Sequence, residues 1–129
     1  MENSLKTFSL LLILSFWVSG CAVALVGAGA AGVYAISDDT AEAISKKAPQ
    51  HSYKVALAVA KRRGVVSKTD PQALHVEGEV DSNSLEIWVS YDPKTGKGSQ
   101  IRVKSRKLAG AFPALKTAES VLNDILRAL

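Results

Sequence analysis

The sequence predicts an α+β domain: a small antiparallel sheet of three to four strands with two helices on one face. Three observations carry this. Residues 74–80, 85–91 and 101–106 alternate apolar and polar side chains with a period of two. Residues 53–63 and 113–129 instead repeat apolar side chains every three to four positions. The segments between strands, 81–84 and 92–98, are Asp-, Ser-, Asn-, Pro- and Gly-rich turn chemistry. An apolar leader and an Ala/Gly-rich segment precede this domain.

The 129 residues suit one domain of modest core. The formal charge of +4 is too small to select a partner by itself, and the lone Cys21 excludes an internal disulfide. The leader begins with a polar stretch in which Glu2 offsets Lys6. An apolar stretch from Leu10 to Val18 follows, then Ser19, Gly20 and Cys21. A short apolar core ending in small residues has the pattern of a secretory signal. The charge-free run 8–36 is also long enough to be read as an uncleaved anchor.

Val18, Ser19, Gly20 and Cys21 resemble the lipobox of bacterial lipoproteins. The resemblance implies that the Cys21 thiol receives a diacylglyceryl group, that signal peptidase II cuts before it, and that the new N-terminus is acylated. Two or more chains, at about 0.8 kcal/mol for each buried methylene, hold a protein stably on a bilayer. Ala22 follows the cysteine where an aspartate would imply retention at an inner membrane. The implied place is therefore the cell envelope, at the outer membrane facing the periplasm if the host has two membranes. The order of features, a lipobox cysteine, an Ala/Gly run ending at Tyr34 and a compact domain, is similar to a group of small bacterial lipoproteins described as a domain of unknown function. That similarity brings no catalytic residues. It divides the chain into a signal peptide (1–20), a lipidated cysteine and tether (21–38) and a domain (39–129).

Gly27, Gly29 and Gly32 spell a dinucleotide-binding turn, G-x-G-x-x-G. Such a turn needs an amphipathic helix after it and an acidic residue about 20 positions on, to hold the ribose. No helical pattern follows here, and Ala48, Pro49, Gln50 and His51 stand near the acidic position. The glycines read as tether, and no cofactor is expected.

In the domain, residues 40–47 fit a weak strand or a helical turn equally. Ser52 is placed to cap a helix over 53–63 whose stripe is Tyr53, Ala56, Leu57 and Ala60. Lys61, Arg62 and Arg63 suit its C-terminal dipole, and Gly64 stops it. Val65–Lys68 reads as a short strand, and Asp70-Pro71 as a turn. Leu74, Val76 and Val80 oppose His75, Glu77 and Glu79; Leu85, Ile87, Val89 and Tyr91 oppose Glu86, Trp88 and Ser90. Ile101 and Val103 oppose Arg102, Lys104 and Arg106. Pro113 opens the last helix, with Leu115, Ala118, Leu122, Ile125 and Leu126 inward. The expected order is β-α-β-β-β-α if the first strand forms, with one sheet face on the helices and the other wet.

Pairing Val80 with Leu85 and Tyr91 with Ser99 puts Trp88 on the wet face between Glu77 and Arg102, and Glu86 opposite Lys104. One reading is a plain cross-strand ladder with Arg102 stacked on the indole. The other is a partner-binding face of Trp88, Arg102, Lys104 and Arg106, able to stack a sugar and hold an anion. Lys94, Lys97 and Lys107 extend the basic region, which suits anionic lipid or envelope polymer; nucleic acid is not expected for an exported chain. His75 with Glu77 and Glu79 could approach a metal, but no second ligand has metal spacing around it or His51, and the ordinary reading is an exposed polar position. Ser67, Ser90 and Ser105 lack a marked base. The sequence thus reads as a non-enzymatic envelope lipoprotein. It is anchored through Cys21 and has a structural or protein-interaction role. The alternative is a module for an anionic glycan or lipid, and catalysis comes last.

Overall fold

The computed structural model describes residues 33 to 129, so the lipobox Val18–Cys21 and the glycines of residues 27–32 lie outside the described residues. The described chain is α+β. It runs β1 (Tyr34–Ala35), β2 (Thr40–Ser45), α1 (Pro49–Arg63), β3 (Gly64–Asp70), β4 (His75–Val80), β5 (Asn83–Tyr91), β6 (Ser99–Lys107), a short 3-10 turn (Leu108–Gly110), β7 (Phe112–Pro113) and α2 (Leu115–Ala128). The described residues therefore form one antiparallel sheet of seven strands, larger than the three to four expected. Its order is β1-β2-β6-β5-β4-β3, with β7 pairing β6.

The enlargement has local causes. The ambiguous segment 40–47 becomes a strand because β6 offers it an edge: Ala41 pairs with Val103 and Ala43 with Ile101, burying both alanines against the helices. Tyr34–Ala35 then add to β2, and Val33 is fully buried in the core. The folded body thus takes in residues given to the tether by the sequence reading. At the other end Ala109 (φ 54°) and Gly110 (φ 94°) reverse the chain, so that Phe112–Pro113 pair back on Arg106–Lys107.

Both helices pack on the sheet face that carries Val76, Val80, Leu85, Ile87, Ile101 and Val103. Helix α1 begins at Pro49, four residues before the expected start. Proline suits the first turn, where its missing N–H leaves no bond unmade. Ser52 is consequently not a cap. It is buried, and its hydroxyl meets that of Ser99 at 2.6 Å, joining α1 to β6. The basic C-terminus of α1 is used: Arg63 donates to Ser120 (2.9 Å) and Asp124 (3.1 Å) of α2 and to Asp81 (3.2 Å) of the β4–β5 turn. Helix α2 starts at Leu115, after Pro113 is taken by β7, and buries Ala118, Val121, Leu122 and Ile125. At about 25 cal/mol per Å² of apolar surface, each fully buried Leu or Ile contributes about 1.5–3 kcal/mol.

The register of β4 on β5 differs from expectation by two residues. Asp81 (φ 52°) and Ser82 (φ 62°) make a two-residue hairpin turn, which pulls Asn83 into the strand to pair with Val80. Leu85 then pairs with Gly78, where a side chain would collide with the β3 backbone: a Cβ there would lie 2.3 Å from the Val65 carbonyl. The β5–β6 register is as read, Tyr91 to Ser99 and Glu86 to Lys104.

Candidate functional site

The face away from the helices carries Thr40 and Glu42 (β2), Gln100, Arg102, Lys104 and Arg106 (β6), Ser84, Glu86, Trp88 and Ser90 (β5), and His75, Glu77 and Glu79 (β4). Trp88, Arg102, Lys104 and Arg106 therefore share one face, as their period-two spacing requires. What surrounds each of them was only partly foreseen.

Trp88 does not stand between Glu77 and Arg102. The shifted register places it opposite His75, and the two rings stack with centroids 5.0 Å apart and planes 11° apart. Glu77 instead faces Glu86, with Lys68 Nζ at 3.8 Å and His75 Nδ1 at 3.7 Å from its carboxylate. Trp88 is half-buried, and His75 is not an exposed polar position: its side chain is 16% exposed and its buried Nε2 has no hydrogen-bond partner. Among the described residues no cluster of three or more His, Cys, Asp or Glu side chains is placed to hold a metal ion.

Arg102 does not stack on the indole either, because β2 supplies something stronger. The Glu42 side chain, 7% exposed, accepts from Arg102 Nε (3.1 Å) and its terminal nitrogen (2.9 Å), from Gln100 Nε2 (2.5 Å) and from the Tyr34 hydroxyl (2.7 Å). Both Arg102 nitrogens converge on one carboxylate oxygen, Oε2, while Gln100 and Tyr34 share Oε1, so the four charge-assisted bonds together fix direction as well as distance. Burial pushes the Glu42 carboxyl up, but the bonds from Tyr34, Arg102 and Gln100 outweigh it and hold it below its ordinary value. Burial and the bond to Glu42 push the Tyr34 phenol up to about 12.

Arg106 is held in the same manner by Asp39. That carboxylate accepts from Arg106, from Thr40 Oγ1 (2.7 Å) and from Ser37 Oγ (2.8 Å), while Arg106 Nε donates to the Gly110 carbonyl (2.7 Å). The Thr40 bond first, and then those from Ser37 and Arg106, bring Asp39 down to about 2 despite its burial. The sequence pattern gives Asp39 and Glu42 no role and marks Tyr34 only as the end of the Ala/Gly run. Their one signal is a lone acid, Glu42, between two alanines that need burial.

These pairings reshape the basic face. Arg102 and Arg106 are neutralised, and among the described residues no carboxylate lies within ion-pair distance of Lys104. A half-open groove of about 440 Å³ runs between β5 and β2, lined by Ile36, Trp88, Ser90, Gln100, Arg102 and Lys104. A smaller depression of about 250 Å³, lined by Ser84, Glu86, Arg106 and Gly110, shares Lys104 with it as a wall residue. Lys94 and Lys97 lie on the exposed 92–98 loop, outside both hollows.

No family model matches the chain, and no curated protein matches it.

Proposed function

We propose that this chain is an envelope lipoprotein, anchored by lipid on Cys21, whose domain has a non-catalytic structural or protein-interaction role through the wet face around Trp88. The observation that carries the anchoring is the Val18-Ser19-Gly20-Cys21 stretch directly after an apolar core. A partner face is supported by the pairing of Arg102 with Glu42 and Arg106 with Asp39. Buried carboxylates set both guanidinium groups in fixed directions, so the surface is formed before a partner arrives. Mass spectrometry of the mature protein tests the anchor: the chain should begin at Cys21 with added acyl mass, and Cys21→Ala should abolish that mass. Recovery of native protein with Met1 intact and no lipid would defeat the reading. Crosslinking in the envelope tests the face: Lys104→Glu should lose the crosslinked partner without a change in thermal stability.

A specific feature favours a second reading, a ligand module. Trp88 presents one indole face to His75, and the opposite face walls the groove.

A further inference from the structure

We infer that the groove beside Trp88 is a saccharide site for an oligosaccharide in which one ring carries a carboxylate, an inference that deepens the ligand-module reading and rests on it, independently of the lipid anchor. Strand β5 lies between β4 and β6, and His75 of β4 covers one indole face, so the other is turned toward β6 and the groove. A pyranose has a face of C–H groups that lies flat on an aromatic ring, whose π-face is electron-rich. The His75 stack, one side chain against another on neighbouring strands, holds the indole in place for this contact.

The polar groups fit the same ligand. Gln100 donates its amide to Glu42, a carboxylate that can only accept, so its Oε1 is fixed as an acceptor for a sugar hydroxyl. The Ser90 hydroxyl, exposed at the rim, can donate or accept. The charge balance then selects the ligand's charge. Two of the three cations of β6 on this face are matched by buried acids. Lys104 has Glu86 as its cross-strand neighbour but, among the described residues, no carboxylate within ion-pair distance, so it is the cation left to meet one anionic group. A phosphate polymer would want several free cations in a row. A fatty chain would want an apolar groove, and here only Ile36 and Trp88 are apolar. The volume of about 440 Å³ lies within the range of small-ligand sites. The second depression lies on the other side of Lys104, close enough to give an adjoining ring a place, which makes an oligosaccharide the better occupant than a single sugar.

The test uses the full chain in detergent with Trp17→Phe, so that Trp88 is the only tryptophan. Disaccharides of N-acetylglucosamine joined to glucuronate, galacturonate or muramate are titrated by Trp88 fluorescence and calorimetry, beside their carboxyl-reduced counterparts. Saturable binding of at least one acidic disaccharide is expected, with its reduced counterpart at least tenfold weaker. Lys104→Gln, which breaks no ion pair, should remove that tenfold preference while the melting temperature holds. Equal binding of the reduced sugar, or an unaltered preference in Lys104→Gln, overturns the charge assignment. Absence of binding by all three acidic sugars overturns the site. Displacement of the Trp88 signal by phosphatidylglycerol vesicles or a tetraglutamate peptide, with no response to sugar, assigns the groove to lipid or protein instead and overturns it too. Cys21→Ala should leave binding unchanged, so failure of the anchor and failure of the site are read separately.

Discussion

Replacing Asp39 by Asn tests whether the β2–β6 junction is held by charge. In the folded chain Asp39 accepts from Thr40, Ser37 and Arg106, which brings its carboxyl from 3.8 to about 2. At about 1.4 kcal/mol per pH unit, that shift corresponds to about 2 kcal/mol of folded-state preference for the ionised form. Asp39 is 10% exposed but the Arg106 side chain is 30% exposed, so water screens part of this. A working value is about 1–2 kcal/mol. A carboxyl whose folded pKa is depressed stabilises fully above its unfolded pKa and loses that contribution as pH falls through the folded one. Wild type should therefore exceed D39N by about 1–2 kcal/mol near neutral pH, by about half of that near pH 3, and by little near pH 2. Urea denaturation at the three pH values, with linear extrapolation, measures the gap. A gap of constant size from neutral pH to pH 2 would refute the reasoning, because the loss would then come from shape and not from charge.

Ser52→Ala and Ser99→Ala each leave one buried hydroxyl unpaired and should each cost about 1–2 kcal/mol; the double variant should cost clearly less than their sum, which a urea double-mutant cycle reads directly. Glu42→Ala unpairs Arg102, Gln100 and Tyr34 together and should cost about 2–3 kcal/mol, with amide exchange rising first in residues 34–42. Gly78→Ala drives a methyl group into the Val65 carbonyl and should loosen β3 selectively, seen as faster hydrogen exchange over residues 64–70 while β5 and β6 stay protected. Ile125→Ala empties a fully buried position between α2 and the sheet and should cost about 2–5 kcal/mol by thermal or urea unfolding.

The parts of this fold legible in the sequence are those with a regular period. Strand β5 alternates without a break from Leu85 to Tyr91 and β6 alternates from Ile101 to Arg106, so their inward faces follow from pattern. Pairing Tyr91 with Ser99 across the 92–98 turn then puts Trp88, Arg102, Lys104 and Arg106 on one face. Where pattern gave out, the deciding partner was far away in sequence. Residues 40–45 are a strand because Val103 and Ile101 await them, some 60 positions later, and nothing local favours strand over turn. The candidate site suffered from the same gap. Arg102 and Arg106 read as free cations because Glu42 and Asp39 sat in a segment without an assigned conformation. The β4–β5 register slipped for a local reason: Asp81-Ser82 lacks the glycine that usually marks a two-residue turn, so the turn looked longer than it is. Pro113 reads as the opening of the last helix but is taken into β7, whereas Pro49, four residues before the expected start, opens α1 itself.

Strand β2 comes early in the domain and lies beside the second-to-last strand, which has a consequence for the order of assembly. The hairpins β3–β4 and β4–β5 join near neighbours and can form as soon as residues 64–91 are together. The slot for Thr40–Ser45 does not exist until Ser99–Lys107 has paired with β5, and only then can Glu42 meet Arg102 across 60 residues. Closure of such long loops is slow compared with hairpin formation. A ribosome would have to finish nearly the whole chain before the β2 slot could exist, so the hairpins of residues 64–91 must wait, half-covered, for both ends of the domain to arrive.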